Sequence, residues 1–326
     1  MKVALPDPIF VVGHPRSGTT LLASMLGRHP DIASSPESLY LSQARYDMRD
    51  VFGTTPAQIA QRIMRTPMRH LAESEIALTA ALTKAQAAGS KLDQRNVFAI
   101  VLNAYRIAHH KPRILEKSPW HMRHIDEFLA WFPDARILWI IRDGRGNVAS
   151  LQKVPWATHD ARILAGQWVR NVALALDSEI RANGAVLRVR FEDLVRDPVG
   201  IMPAILAHIG VKPSDTVFDH SQAATTIKAS ETGWKQNVNK PLQDNRVGAW
   251  RSELSAADLA ICARIMNPTL TRLGYQAEGA GPSALSRLRS TITHSPGGLR
   301  LMRAGLHLIR SLTGAKQAQK TQKSPT

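Results

Sequence analysis

The chain has 326 residues, 44% of them hydrophobic and 21% charged, with 42 Lys and Arg against 26 Asp and Glu, a net charge of +16. That length and balance describe a globular protein with one full core, and exclude a disordered or collagen-like chain. A single cysteine, Cys262, excludes an intramolecular disulfide framework and fits a reducing compartment, while no apolar run reaches the ~18–20 residues that span a bilayer. The start, MKVALPDPIF, is too short and too interrupted by Pro6, Asp7 and Pro8 for a signal peptide, so the expected location is cytoplasmic. The positive charge asks for an anionic partner: nucleic acid, an anionic lipid surface or an anionic small ligand.

In chain order, PIFVV (8–12) reads as a buried strand, short and β-branched, ended by Gly13. Leu21, Leu22, Met25 and Leu26 then recur at helical spacing from Thr19 to His29, and Pro30 closes that helix. The segment DIASSPESLYL follows, carrying Glu37. Residues 42–111 are helical in character, with a turn at Gly89. Strand character returns at Arg113–Leu115, just before EKSP. A helix is expected over His121–Trp131, a strand over RILWII (136–141), and a loop over RDGRGN. A long helix over 160–182, a strand in AVLRVRFEDL, a helix over 198–209 and a last amphipathic helix over Ser255–Leu273 complete the ordered part.

Strands alternating with helices imply an α/β fold with a central parallel sheet and right-handed crossovers. Ligands of such sheets bind beyond the carboxyl ends of the strands. The loop after PIFVV, the EKSP segment and RDGRGN should therefore share one rim. Residues 1–278 read as one domain. Residues 279–326 differ: they hold eight Lys or Arg and no Asp or Glu. In GLRLMRAGLHLIRSLTG basic and apolar positions alternate at helical spacing. This tail suits an anionic membrane surface, which would make the protein peripheral at the inner membrane. A helix docked on this chain or on an oligomer partner explains the same pattern. The tail has no aromatics to stack on bases, which argues against nucleic acid.

The tract FVVGHPRSGTTLL carries the sharpest signal. Gly13 and Gly18 have the spacing of the nucleotide-binding loop G-x-x-x-x-G-K-[ST], but Thr19 stands in the lysine position and Arg16 lies three places earlier. Glycines there let backbone amides approach an anion at a helix N-terminus. Without the lysine a kinase loses its main charge clamp. A chance glycine turn would explain the bare spacing, but not strand, arginine and helix together.

This tract closely resembles the 5′-phosphosulfate loop of the sulfotransferases that use 3′-phosphoadenosine 5′-phosphosulfate (PAPS). FPDARILWIIRDGRGNVASL resembles their 3′-phosphate segment, EKSPWH an intervening segment, and VRFEDLVRDP and VGAWRSEL…LGY the later blocks, so the likeness runs from about residue 8 to 275. The pattern is nearest to the branch of tyrosylprotein sulfotransferases and bacterial relatives. The resemblance implies a P-loop-containing three-layer fold with helices on both faces of the sheet. It also implies transfer of a sulfuryl group to a hydroxyl or amine, with residues 42–111 and the loop at Pro155–Trp156 as acceptor walls, and no metal requirement. The acceptor stays open among carbohydrate, lipid-linked, phenolic and peptide-tyrosine groups.

Residue by residue, the resemblance makes Ser17, Gly18, Thr19 and Thr20 the 5′-phosphate ligands, with Arg16 at the bridging oxygen. It makes Arg142 and Ser150 the 3′-phosphate ligands, with Arg145 in contact with either nucleotide or solvent and Lys240 a further donor ligand. Lys117 is the active-site cation. Glu37 is the expected general base, with His121 and then His14 as rivals; SSPES also has helix-capping character. Two departures stand out. The family's YEDL reads Phe191-Glu192-Asp193-Leu194 here, losing a hydroxyl. Ser38 and Leu39 follow Glu37 where the tyrosylprotein enzymes have Thr and a substrate-reading arginine, which weakens a peptide-tyrosine acceptor. Two other functions fit the loop less well: a P-loop kinase of a small substrate, and a non-catalytic, membrane-associated protein that binds the product nucleotide PAP.

Overall fold

The computed structural model describes residues 1–219 and 246–278. The chain divides into two compact units, residues 1–255 and 256–326. The first unit holds a five-stranded sheet, all parallel, in the order β2-β3-β1-β4-β5, with β1 Ile9–Val12, β2 Ile32–Ser34, β3 Arg113–Lys117, β4 Arg136–Ile141 and β5 Val186–Arg190. β1 lies between β3 and β4: the chain runs from β1 to β2 on one side and later crosses from β3 to β4 on the other, so the carboxyl end of β1 is the switch point where such sheets form their crevice.

The alternation along β1 builds the two faces. Ile9 and Val11 join Leu115, Leu138, Ile140 and Val189 in a core against α1 (Thr19–Leu26) and the later helix Pro198–Ile209. Phe10 points the other way and stacks on Phe128 at 4.0 Å, in an aromatic layer with Phe98, Phe132 and Tyr40. The layer on that face is completed by Gln94–Ala108 and Ile125–Trp131. The three-layer α/β expectation is met.

Local chemistry accounts for most boundaries. Thr55, Ser74, Asp93 and Asp160 each cap a following helix through a side-chain oxygen. Gly89, with φ +82°, ends Glu75–Ala87 where the sequence marks a turn. Three differences from the sequence reading bear on the site. Ile32–Ser34 is a strand, the sheet edge beside β3, where only a connecting segment was expected. β3 runs on through Glu116 and Lys117. RDGRGN is not a loop beyond Asp143: that residue accepts a hydrogen bond from the Arg145 amide at 2.9 Å and starts the helix Gly144–Leu151.

In the second unit the helix Ala256–Arg272 carries Cys262, Met266 and Leu270 four apart on one stripe. Residues 279–326, where the basic tail was expected, lie outside the described residues. Among the described residues no helix is long and apolar enough to cross a membrane.

Candidate active site

The Gly13–Gly18 loop leaves β1 and turns under tight constraint. A Cβ on Gly13 would lie 2.4 Å from the Ile140 carbonyl oxygen, so the loop can hug β4 only with glycine there. Gly18 has φ +101° and caps α1 without any side-chain cap bond, leaving the first amides of α1 to face the crevice. Arg16 is also left-handed, at φ 70°. A non-glycine residue there is strained and needs its surroundings to hold it. Two groups do so. Arg142 donates from Nη1 to the Arg16 carbonyl at 3.1 Å, and Arg16 Nε donates to Ser150 Oγ at 3.2 Å. Three side chains singled out from distant motifs thus meet at one point.

Asn147, not singled out from the sequence, donates from Nδ2 to the Pro15 carbonyl at 2.7 Å and to Ser17 Oγ at 3.2 Å. Its only signal was its place in RDGRGN. Arg142 lies against the Phe191 ring, its guanidinium carbon 4.7 Å from the centroid. Arg145 is held by Asp143 through two bonds, at 3.0 and 2.7 Å, and stacks on Trp250 at 3.9 Å. Arginines crowd here. Burial, then the neighbouring Arg246, push the Arg16 guanidinium below its ordinary value. Burial lowers Arg142 as well; Glu192 opposes the shift, while Arg246 and Arg16 deepen it. Cations that depress one another in this way favour a multiply charged anion between them.

Across the crevice, Lys117 is fully buried, and its Nζ lies 2.5 Å from Glu37 Oε1 and 3.4 Å from Thr20 Oγ1 of α1. Glu37 sits beyond β2, paired with the cation that ends β3. His121 is fully buried and committed on both nitrogens: Nδ1 bonds Glu116 Oε2 at 3.0 Å, and Nε2 accepts from the Leu41 amide at 3.1 Å. An amide donor at Nε2 uses a lone pair there, which directs the Nδ1 proton to Glu116. His14 is buried, and its Nδ1 lies 3.3 Å from the Pro15 carbonyl. Its pKa falls to about 4, chiefly through burial, with Arg123 adding to the depression and Pro15 and Asn147 opposing it. Lys240 lies outside the described residues, and Trp156, half-exposed, stands in the turn before Ala161–Arg181.

Comparison with known proteins points one way. Residues 8–215 match the model of the family described as "Sulfotransferase family". The nodulation protein NoeE of Sinorhizobium fredii is 26% identical over 299 residues, covering 83% of this chain and 67% of that protein. Protein-tyrosine sulfotransferase 1 of Danio rerio is 26% identical over 290 residues, covering 84% and 74%. The sulfotransferase domain of the Synechococcus PCC 7002 olefin synthase superposes with a TM-score of 0.60 at 19% identity, over 85% of this chain and 98% of that one. The sulfotransferase domain of the curacin biosynthetic pathway gives 0.55 at 16% identity, over 85% and 100%, so both share the fold. With most of the chain under the family match and the strand-end loops in place, this chain belongs to the sulfotransferase family and is a sulfotransferase enzyme.

Proposed function

We propose that the enzyme takes its sulfuryl group from PAPS and passes it to an acceptor hydroxyl in a direct, in-line transfer. The observation that carries this reading is the meeting of Arg16, Arg142 and Ser150 beside the first amides of α1, with the Lys117–Glu37 pair across the crevice. The chemistry of that donor set fits a nucleotide with two separate anionic ends. Ser17, Gly18, Thr19 and Thr20 hold the 5′-phosphate with amides and hydroxyls, and Arg142 with Ser150 holds the 3′-phosphate. Lys240 is retained as a further donor ligand.

In this mechanism the protein supplies position, counter-charge and one proton acceptor. Arg16 and Lys117 stabilise the charge that develops on the leaving nucleotide. Glu37 takes the acceptor's proton; a positioned base of this kind contributes about 10²–10⁴-fold. His121 is left a structural task, since using it as base would break its bond to the Leu41 amide. The pairing of Glu37 with a donor-side lysine also ties the base to the nucleotide site. The helices over residues 42–111 and the Pro155–Trp156 turn are retained as the acceptor walls. The protein-tyrosine sulfotransferase relatives make peptide tyrosine an acceptor to test, although Ser38 and Leu39 depart from that branch. Oligosaccharide, lipid-linked and phenolic hydroxyls stand beside it, with the basic tail as a tether to an anionic membrane.

The test is calorimetry with PAP, together with labelled PAPS offered to an acidic tyrosine peptide, a chitooligosaccharide, a glycolipid and 4-nitrophenol. PAP binding with transfer to one of these, lost in Glu37→Gln while PAP still binds, is the expected result. Absence of PAP binding would end the donor assignment. ATP-dependent phosphoryl transfer in its place would select the kinase reading.

A further inference from the structure

Glu116 has no place in that reaction scheme, yet four hydrogen bonds converge on its carboxylate. It is fully buried on β3, between core residue Leu115 and Lys117. Its Oε1 accepts from the Ser38 hydroxyl at 2.6 Å, the Ser118 hydroxyl at 2.5 Å and the Ser38 amide at 3.3 Å. Its Oε2 accepts from His121 Nδ1 at 3.0 Å. Burial acts to raise its pKa, but His121 and the Ser118 and Ser38 hydroxyls outweigh burial and hold it below the ordinary value. The group is a buried carboxylate anion. Such a charge is costly to bury even when paired, and well-packed apolar residues often serve a core as well.

Strand geometry shows what it does. Successive residues of β3 face opposite sides of the sheet. Lys117 reaches α1 on one side and takes Glu37. Glu116, whose strand partner is Phe10, faces the other side and takes Ser38. The next residues continue in step: Leu39 N–H donates to Ser118 Oγ at 3.0 Å, and Leu41 N–H to His121 Nε2 at 3.1 Å. EKSPWH thus grips ESLYL almost residue by residue. The gripped segment needs holding, because Leu39 is left-handed, at φ 49°, and opens the π-helical turn Tyr40–Ala44 directly after Glu37.

We infer that Glu116 is a positioning residue: its ionised carboxylate, through Ser38, Ser118 and His121, fixes the segment that carries Glu37 and so sets the angle at which Glu37 meets the acceptor hydroxyl. The inference rests on the reading of Glu37 as base. Glu116→Gln preserves shape and removes the charge. Three effects are expected together. Amide exchange in residues 36–44, followed by mass spectrometry, accelerates at least tenfold while the Gly13–Gly18 loop is unchanged. PAP affinity stays within about threefold, since no donor ligand is touched. Turnover of the acceptor found above falls by about 10–100-fold with little change in its KM, the scale expected when a reacting group is displaced by an ångström or less.

The signature that a merely structural role lacks is non-additivity. In a Glu37→Gln background, adding Glu116→Gln leaves the residual rate where it was. Multiplying losses, or unchanged exchange in 36–44, overturns the inference. If Glu116→Gln does not fold, Ser38→Ala removes one hydroxyl donor and is expected to lower kcat about 3–10-fold at unchanged PAP affinity, a fraction of one charge-assisted bond because Ser118, His121 and the Ser38 amide still hold the carboxylate; an unaltered kcat overturns it again. A fully active Glu37→Gln removes the base reading and this inference with it. An inactive Glu37→Gln beside a fully active Glu116→Gln overturns this inference alone.

Discussion

Replacing Arg142 by methionine tests the proposed nucleotide clamp without knowledge of the acceptor. A guanidinium has five N–H donors. Nη1 bonds the Arg16 carbonyl and Nη2 the Arg246 carbonyl, at 3.1 and 3.5 Å, which occupies two of the five and, among the described residues, leaves three on the guanidinium edge. Two parallel bonds to a phosphate are the natural use for that edge. Each charge-assisted bond is worth about 1.5–3 kcal/mol, so losing the pair weakens a 3′-phosphorylated ligand by roughly 10²–10⁴-fold. Methionine keeps an unbranched, polarisable chain against Phe191, which limits collateral damage. The assay is calorimetric titration of PAP beside AMP, which lacks the 3′-phosphate. PAP affinity should collapse toward that of AMP, while AMP changes by about threefold at most from slackening of the loop at Arg16. Equal losses for both nucleotides would refute the clamp and leave Arg142 a mere support of the loop.

Three further outcomes follow from the same geometry. In Gly146→Ala the new methyl would lie 3.1 Å from Arg142 Nε and 3.4 Å from Trp250 Cδ1. Helix propensity adds up to about 1 kcal/mol while PAP binding weakens several-fold, so melting temperature and affinity should move in opposite directions; movement in the same direction defeats the account. Gly18→Ala meets both φ +101° and a 2.5 Å approach to Phe191 Cδ2, and should destabilise the fold by about 1–3 kcal/mol with loss of PAP binding; a wild-type melting curve would contradict it. His14 titrates near 6.5 in the unfolded chain and near 4 when folded. Between those values the unfolded chain binds more protons, so stability falls as pH drops through that window, by about 3 kcal/mol in all. Denaturant titrations of His14→Gln should lack this component; curves parallel to wild type across pH 7 to 4 would exclude it.

The fold was legible where local chemistry decides it. PIFVV and RILWII are β-branched runs bounded by Gly13 and Arg142, and they are β1 and β4. Ile32–Ser34 gave no such signal. Three residues between HPD and SP become a strand only because β3 offers an edge to pair with, and that edge is contributed from about eighty residues away. The same division runs through the site. Glycine spacing and strand ends placed Arg16, Arg142 and Ser150 on one rim, and they meet there. Glu116 was invisible. A glutamate in EKSP looks like any solvent-facing acid until Ser38, Ser118 and His121 are known to surround it, and Ser38 comes from 78 residues away. For His121 the residue type suggests a base, while its bonds to Glu116 and to the Leu41 amide are a matter of tertiary position.

Phe191 shows what the departure from the family's tyrosine leaves intact. Its ring does two things here. It lies under the Arg142 guanidinium, and it closes on the Cα of Gly18 so tightly that no Cβ fits between them. Both depend on the π face and the ring edge, and neither uses a hydroxyl. Glu192, the next residue, accepts from the Asp143 amide at 2.8 Å and its charge opposes the depression of Arg142. The turn after β5 therefore supports Arg142 and the Gly13–Gly18 loop from behind: Phe191 lies against the guanidinium, Glu192 offsets the repulsion from Arg16 and Arg246, and Gly18 receives the ring. A tyrosine hydroxyl could add a donor contact to that arrangement, but the arrangement itself requires only an aromatic residue followed by an acid. That is why FEDL can stand in this position with the arginine still aimed at the loop.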